Sequence, residues 1–382
     1  VEGLRSSQRI ELAGDLKRID PPSNPGAFDL QSFFRGRRTL CWISVPIPQA
    51  LKPVDDGSLI AQSLSSLRTG LDGYLWKYLS EDTAPLASAM LLGNRGQLDR
   101  VSRDSFLLSG TVHLLAISGL HVGILAGLFL MLPRLGLISR RKGLLLTMIF
   151  VCFYAGLVEF RPPVTRAAIL ICVYCYCRWV GRAPFSFNTL GLAALVVLAI
   201  NPVDLFGAGA QLSFLAVGSL IFARDWITLP RSDDPIDQLI EGSLTPAERF
   251  WRRTGRGIYS AFAVSAVIWV FAVPAVASQF HIVAPIALLA NPLLLIPLST
   301  GLLCGLGVLL FAAWLPPAAS LMAAGCDASL LTIQHIVKSS EQVPGGHWWT
   351  AGPPLIAVAF FYAALLFLYL RFDGIRLRGV VA

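Results

Sequence analysis

The sequence predicts an all-α polytopic membrane protein of about eight to ten hydrophobic segments, preceded by a short N-terminal β module. Three observations predict it. Of the 382 residues, 55% are hydrophobic and 14% are charged, where an average soluble domain carries roughly 25% charged residues. Mean hydropathy is +0.64, too high for a soluble fold of this length with an ordinary polar surface. Apolar runs recur along the last two thirds of the chain and approach the roughly 20 residues that a spanning helix needs.

Residues 1–55 differ from the rest. Short apolar pieces, Arg9-Ile10-Glu11-Leu12 and Thr39-Leu40-Cys41-Trp42-Ile43-Ser44-Val45, flank the turn-rich stretch Asp20-Pro21-Pro22-Ser23-Asn24-Pro25-Gly26. This pattern predicts two or three β-strands, too few for a closed small barrel. Residue 1 is a valine, so the chain is expected to begin inside a longer protein.

Residues 56–112 form a helical connector. Ile60, Leu64, Leu67, Leu71, Leu75 and Tyr78 recur at three- and four-residue steps, with Arg68, Asp72 and Lys77 off that stripe. The spacing predicts one amphipathic helix over 58–79 with Leu64, Leu67, Leu71 and Leu75 on its less exposed face. A second helix is expected from Pro85 to Leu92, broken by Gly93-Asn94-Arg95-Gly96.

Residues 113–382 are expected to be the transmembrane domain. Apolar runs cover about 114–132, 143–159, 164–180, 189–200, 211–223, 258–279, 282–298, 299–315 and 354–371. The run at 189–200 is short and ends at Asn201-Pro202, which suits a re-entrant or partly inserted segment. Residues 317–337 carry Asp327, Gln334 and His335 and read as amphipathic. The 224–256 loop is expected to be mobile. Net charge is +8. Its basic clusters, Arg134 with Arg140-Arg141-Lys142, Arg178 with Arg182, and Arg249 to Arg256, mark cytoplasmic loops. The same excess also suits contact with a polyanion or anionic lipid.

The seven cysteines show no disulfide framework. Cys175 and Cys177 point about 200° apart on a helix, so they read as packing residues and not as ligands. No metal and no cofactor is assigned.

Four ordered blocks resemble the ComEC family of competence proteins. Leu92-Gly93-Asn94-Arg95 with Ser109-Gly110-Thr111-Val112-His113-Leu114-Leu115-Ala116-Ile117-Ser118-Gly119-Leu120-His121 is similar to that family's signature. Phe160-Arg161-Pro162-Pro163-Val164-Thr165-Arg166-Ala167 resembles its proline-containing stretch, and Asn201-Pro202 with Gly209-Ala210-Gln211-Leu212-Ser213-Phe214 its Gln-Leu-Ser-Phe block. Pro274 to Phe280-His281, then Ala290-Asn291-Pro292, resembles its last block, and Asn24-Pro25-Gly26-Ala27-Phe28-Asp29 the end of its OB-like module. The resemblance spans roughly residues 20–300. It implies a channel, not an enzyme, that passes single-stranded DNA across the cytoplasmic membrane during natural transformation. The implied location is multi-pass in the cell inner membrane. An external DNA receptor, a cytoplasmic ATPase motor and a possible homo-oligomer are the implied partners, beside the lipid bilayer itself. Two features depart from the family pattern. The first strands of the OB-like module are missing. None of the five histidines, His113, His121, His281, His335 and His347, forms the His-x-His-x-Asp-His cluster of a metallo-β-lactamase-like domain. No Gly-x-x-x-x-Gly-Lys-[Ser/Thr] loop is present, so the driving force is assigned to a partner.

The candidate pore-lining residues are His113, Ser118, His121, Arg161, Arg166, Gln211, Ser213 and Asn291. Each has a bland alternative. His113 and His121 are either a hydrogen-bonded structural pair or a polar pore mouth. Ser118-Gly119 is either a helix break with close packing or part of that mouth. Arg161 suits a snorkelling role. Arg166 either faces a polar cavity, as intramembrane arginines tend to, or pairs with Glu159 and ties two helices. Gln211, Ser213 and Asn291 are interhelical hydrogen-bond partners or path residues, and Asn201-Pro202 and Asn291-Pro292 are both expected to interrupt helices. The rival functions are an intramembrane hydrolase built on His113, Ser118 and His121, and a small-anion transporter.

Overall fold

The computed structural model describes residues 9–22, 30–36, 39–45, 51–55, 58–182, 187–224 and 245–380. The chain is mostly helical and divides into two compact units. One comprises Val1–Arg103, His113–Phe214 and Leu295–His335; the other comprises Asp104–Val112, Leu215–Leu294 and Ile336–Ala382.

In the first unit, four short strands pair antiparallel in two separate ladders: β1 (Arg9–Leu12) with β4 (Leu51–Asp55), and β2 (Asp15–Arg18) with β3 (Cys41–Ser44). No closed barrel forms among the described residues. A Cβ on Gly14 would lie 2.6 Å from the Ser44 carbonyl oxygen, so only glycine fits the β1–β2 turn. A helix, α1 (Leu30–Gly36), lies along the chain between β2 and β3, where the sequence showed no helical period. Residues 24–29 lie outside the described residues.

The amphipathic stretch is one helix, α2 (Leu59–Tyr78), capped by the Ser58 hydroxyl, which accepts from the Ala61 amide at 3.2 Å. Leu75 is buried and Leu64 and Leu71 are half-buried, but Leu67 is 42% exposed. Leu64, Leu71 and Leu75 lie within about 40° of one another around the helix, and Leu67 lies about 60° to one side. The buried stripe is therefore narrower than the expected face. It packs on α3 (Ala84–Leu91) and α6 (Arg140–Leu157). Asp72 of α2 accepts from the Ser88 hydroxyl and, at 3.3 Å, from the Asn94 amide, which fixes the chain around the Gly93 break.

The bundle that follows is α5 (Gly119–Met131), α6, α7 (Pro162–Trp179) and α8 (Phe187–Ile200), with α5, α6 and α7 mutually packed and α8 on α7. The run that starts near residue 114 does not start as an α-helix. A 3-10 turn covers Val112–Leu115, Ser118 is extended, and α5 begins only at Gly119. Arg161 caps α7, and Pro162 and Pro163 occupy its first turn, where their missing N–H groups leave nothing unpaired. Before it, Glu159 and Phe160 both have positive φ, 60° and 49°. After α8, Asn201 is extended and a 3-10 turn, Pro202–Phe206, leads into α9 (Ala208–Phe222).

The two apolar runs at 282–298 and 299–315 are one helix, α11 (Ala287–Phe311), and Asn291-Pro292 does not interrupt it. Ala290, Leu294, Leu298 and Leu302 form a buried i, i+4 stripe along it. The stripe runs past two internal prolines, Pro292 and Pro297, each of which ordinarily costs a helix roughly 3 kcal/mol. Within the first unit, α11 meets α12 (Pro316–Glu341) through glycines. A Cβ on Gly307 would lie 2.9 Å from Met322, and one on Gly325 would lie 3.0 Å from the Cys304 sulfur. Small residues at such contacts let helix backbones approach closely.

In the second unit, α10 (Pro246–Phe280) runs for 35 residues from a Thr245–Glu248 capping box. Residues 225–244, the core of the long polar loop, lie outside the described residues. His281 ends α10 in the left-handed region, at φ 56°. Its carbonyl accepts from the Thr350 amide at 3.0 Å, beside a two-residue ladder of β5 (Ile282–Val283) and β6 (Trp348–Trp349). The last helix, α13 (Leu355–Val380), is tied to α10 by the Tyr362 hydroxyl, which donates to the Phe271 carbonyl at 2.7 Å.

Candidate functional site

Three of the sequence blocks converge within the first unit. Gly119, at the start of α5, packs on Ala167 of α7, since a Cβ there would lie 3.7 Å from that of Ala167. Gly93 has φ +74°, and a Cβ on it would lie 2.9 Å from Arg161 Nε and 3.1 Å from Ile117 Cδ1. The Gly93 turn, the Ile117-Ser118-Gly119 break and the Arg161-Pro162-Pro163 cap thus meet at one place.

Arg166 lies one turn further into α7 and is 6% exposed. Its Nη2 donates to the Ser213 hydroxyl at 3.3 Å, and Ser213 in turn donates to the Gly209 carbonyl at 2.7 Å. A Cβ on Gly209 would come within 3.2 Å of Nη2, so glycine lets α9 approach the guanidinium. Asp204, in the 3-10 turn, attracts the arginine and is itself held by the Asn201 amide at 2.8 Å. Among the described residues, Arg166 Nε has no hydrogen-bond partner. A buried donor left unpaired costs about 1–3 kcal/mol. Glu159, the partner named in the alternative reading of Arg166, instead binds Arg68 of α2 at 2.8 Å. The left-handed turn at 159–160 carries the carboxylate away from α7 and toward α2.

Ser118 and His121 form the second polar centre. His121 is fully buried, and its Nδ1 accepts the Ser118 backbone N–H at 3.1 Å. The Ser118 hydroxyl lies 2.6 Å from the same nitrogen. Because a backbone amide can only donate, Nδ1 is the acceptor and the neutral ring carries its proton on Nε2. Nε2 is buried and without a partner. His113 sits on the exposed side of the 3-10 turn, within electrostatic reach of His121.

The remaining candidates lie apart. Gln211 is exposed, and its amide donates to the Leu205 carbonyl at 3.0 Å. Asn291 belongs to the second unit, where its Oδ1 is buried without a partner. Sequence reasoning passed over Asp204, although a lone acid three residues after an Asn-Pro helix stop was its signal. It also passed over Tyr154, whose hydroxyl donates to the Leu91 carbonyl at 2.7 Å and holds α3 on α6. A tyrosine inside an apolar run gave no sign of so specific a partner.

Fold and site together define a helical protein with, among the described residues, two helices long and apolar enough to cross a membrane, Pro246–Phe280 and Ala287–Phe311. Residues 90–373 match the family model described as Competence protein, and the chain belongs to that family. ComE operon protein 3 of Bacillus subtilis is 35% identical over 222 residues, which is 58% of this chain and 28% of that protein. Uncharacterized protein YcaI of Escherichia coli is 27% identical over 306 residues, 78% of this chain and 37% of that protein. Recombination protein 2 of Haemophilus influenzae is 27% identical over 215 residues, 54% of this chain and 26% of that protein. The chain thus spans well under two thirds of the length of each of these relatives. No solved structure matches.

Proposed function

We propose that this chain is a multi-pass domain of the cytoplasmic membrane that passes single-stranded DNA inward during natural transformation. The observation that carries the reading is Arg166: a buried guanidinium with one donor unpaired, set among helix breaks in an apolar bundle. Groups of this kind in membrane helices mark ion and substrate paths. A single strand carries a phosphate at every nucleotide, and a guanidinium is the side chain best shaped to meet one. Names of relatives point the same way: beside ComE operon protein 3, one of Neisseria gonorrhoeae is called Competence protein ComA.

The membrane reading is supported by how little of the apolar surface is covered. The most apolar windows of α10 and α11 have mean hydropathy 2.1 and 2.3, yet only 17% and 39% of their residues are buried. The core helix of a soluble protein would be mostly buried. At about 1.5 Å per residue α10 is some 50 Å long, against a hydrocarbon core of about 30 Å. Its N-terminal turns, with Arg249, Arg252, Arg253 and Arg256 on one face, would then stand outside the bilayer. Lipid, a DNA receptor outside and an ATPase motor inside are the partners this function requires.

One observation favours a second reading. The Ser118 hydroxyl is within hydrogen-bond distance of a histidine nitrogen, as an intramembrane hydrolase needs. Two details oppose it. The same nitrogen already serves as the cap for Ser118's own amide, and no carboxylate orients Nε2. The anion-transporter reading drew on paired broken helices and loses one of them with the continuity of α11 through Pro292.

The test is uptake of duplex DNA labelled separately on each strand, in transformable cells that carry or lack the chain. One strand's label should become nuclease-protected in the cytosol only when the chain is present. Equal uptake without it would refute the proposal. A Ser118→Ala variant with full uptake would remove the hydrolase reading.

A further inference from the structure

A cleft of about 220 Å³ opens at the opposite end of α7 from Arg161, between the end of α5, the start of α6 and the last turn of α7. Arg134, Arg140 and Arg178 converge on it from three different segments, with Tyr174 beside them. Leu130, Pro133 and Leu144 make its apolar wall. Among the described residues, no carboxylate lines it and none of the three arginines forms an ion pair.

We propose that this cleft binds the headgroup of an anionic phospholipid, with the acyl chains along the apolar wall. The inference rests on the reading of α5 to α7 as membrane helices. Charge complementarity carries it: three guanidiniums gathered with no counter-charge call for an anion. Arg140, Arg141 and Lys142 also fill the first turn of α6, behind the Ser139 cap. The helix dipole disfavours cations there, so local helix stability does not explain them. The site is built and not a chance of mobile loops. Gly143 and Pro133 approach so closely that a Cβ on Gly143 would lie 2.3 Å from the proline ring, which fixes the α5–α6 turn on α6. Size favours a headgroup, because the cleft is smaller than the roughly 300–1,000 Å³ of ordinary ligand pockets. A nucleic-acid track would need a longer groove with several stacking aromatics, and Tyr174 is the one aromatic lining the cleft.

The test is native mass spectrometry of the full chain purified in neutral detergent, with phosphatidylglycerol or phosphatidylethanolamine added. Wild type should retain phosphatidylglycerol selectively. An Arg134→Gln, Arg140→Gln, Arg178→Gln triple variant should bind it about a hundredfold more weakly, since each basic residue near an anionic lipid contributes roughly fivefold. If the triple variant does not fold, Arg178→Gln alone, on the exposed end of α7, should give about a fivefold loss. Equal retention of the two lipids by wild type overturns the proposal. So does displacement of phosphatidylglycerol by millimolar glycerol 3-phosphate, which would make this a site for soluble phosphate esters, or by a thymidine oligonucleotide, which would make it part of a DNA path. Carbonate extraction of cell membranes separates the two failures. Protein released by carbonate sinks the membrane reading itself, whereas retained protein without lipid preference sinks this inference alone.

Discussion

Arg166→Met replaces a buried guanidinium with an unbranched thioether that fills much of the same channel between α7 and α9. The fold should tolerate it. The bond lost, Nη2 to Ser213, is long at 3.3 Å, and an ordinary hydrogen bond contributes a net 0.5–1.5 kcal/mol, so about 0.5 is a fair value here. Ser213 keeps its bond to the Gly209 carbonyl, so no hydroxyl is stranded. Asp204 loses an attraction but keeps Asn201. Against these losses, the substitution removes the unpaired Nε, which costs about 1–3 kcal/mol in the native protein. The balance lies near zero, as it does for many buried ionic groups replaced by apolar ones. The thermal midpoint should move by less than about 4 °C. Transport should behave differently. A charge-assisted contact with a passing phosphate is worth about 1.5–3 kcal/mol, or roughly a tenfold to hundredfold loss of uptake. Arg166→Lys should fall between, since it keeps the charge and loses the planar fork. The assay is transformation frequency divided by the amount of folded protein, measured by size-exclusion chromatography of a fluorescent fusion. Unchanged uptake per folded molecule in Arg166→Met would refute the pore assignment. A parallel fall in folded protein and uptake would refute the energetic balance and return Arg166 to a structural role.

Other consequences concern the frame around it. Gly93→Ala should destabilise the protein by about 1–3 kcal/mol, because alanine is strained at φ +74° and its Cβ would strike Arg161 and Ile117. Adding Arg161→Ala should recover part of that loss, and strict additivity in unfolding experiments would contradict the contact. His281→Gly should stabilise the end of α10 by up to about 1 kcal/mol, since glycine takes the left-handed cap without strain. An unchanged or lower midpoint would show that the imidazole has a role of its own. Glu248 stands at the solvated start of α10, where hydrogen bonds from the Thr245 amide and hydroxyl hold its carboxyl below the usual carboxylate range. A depressed folded pKa means that the cap's contribution is present above the ordinary glutamate range and is lost as pH falls through the folded value. Amide exchange at 246–250, compared between wild type and Glu248→Gln, should therefore differ at neutral pH and converge in acid.

The helical frame was legible because helix starts and stops are local chemistry. The leucine stripe over 58–79, the glycine break at Gly93 and the apolar run at 164–180 each act within a few residues, and α2, the Gly93 turn and α7 lie where they put them. Tertiary packing overrode the local signal at Pro292, where a buried stripe carries the helix through a residue that ordinarily stops one. Partner choice was the least legible. Glu159 and Arg166 are seven residues apart and read as neighbours, yet two left-handed residues turn the carboxylate to Arg68, ninety-one positions back along the chain from Glu159. Asp204 comes within electrostatic reach of Arg166 because the chain after the Asn201-Pro202 stop brings α9 beside α7, a long-range fact that no spacing encodes. The Ser118–His121 cap was hidden for a different reason. Ser118-Gly119 read as a helix break and the histidines as a structural pair or a pore mouth, but a histidine at the third helical position imitating the glutamate of an ordinary capping box was not read from the spacing.

The central claim is that DNA passes beside Arg166, and site-directed crosslinking tests it most directly. Cysteines placed at Ser213, beside the guanidinium, and at Leu195, exposed on the outer face of α8, would each carry a photoactivatable probe in transformable cells. During uptake of labelled DNA, the probe at Ser213 should capture the labelled strand, and capture should fall in the Arg166→Met background. The probe at Leu195 should capture lipid and no DNA. Equal labelling at both positions, or DNA captured only at Leu195, would contradict the account.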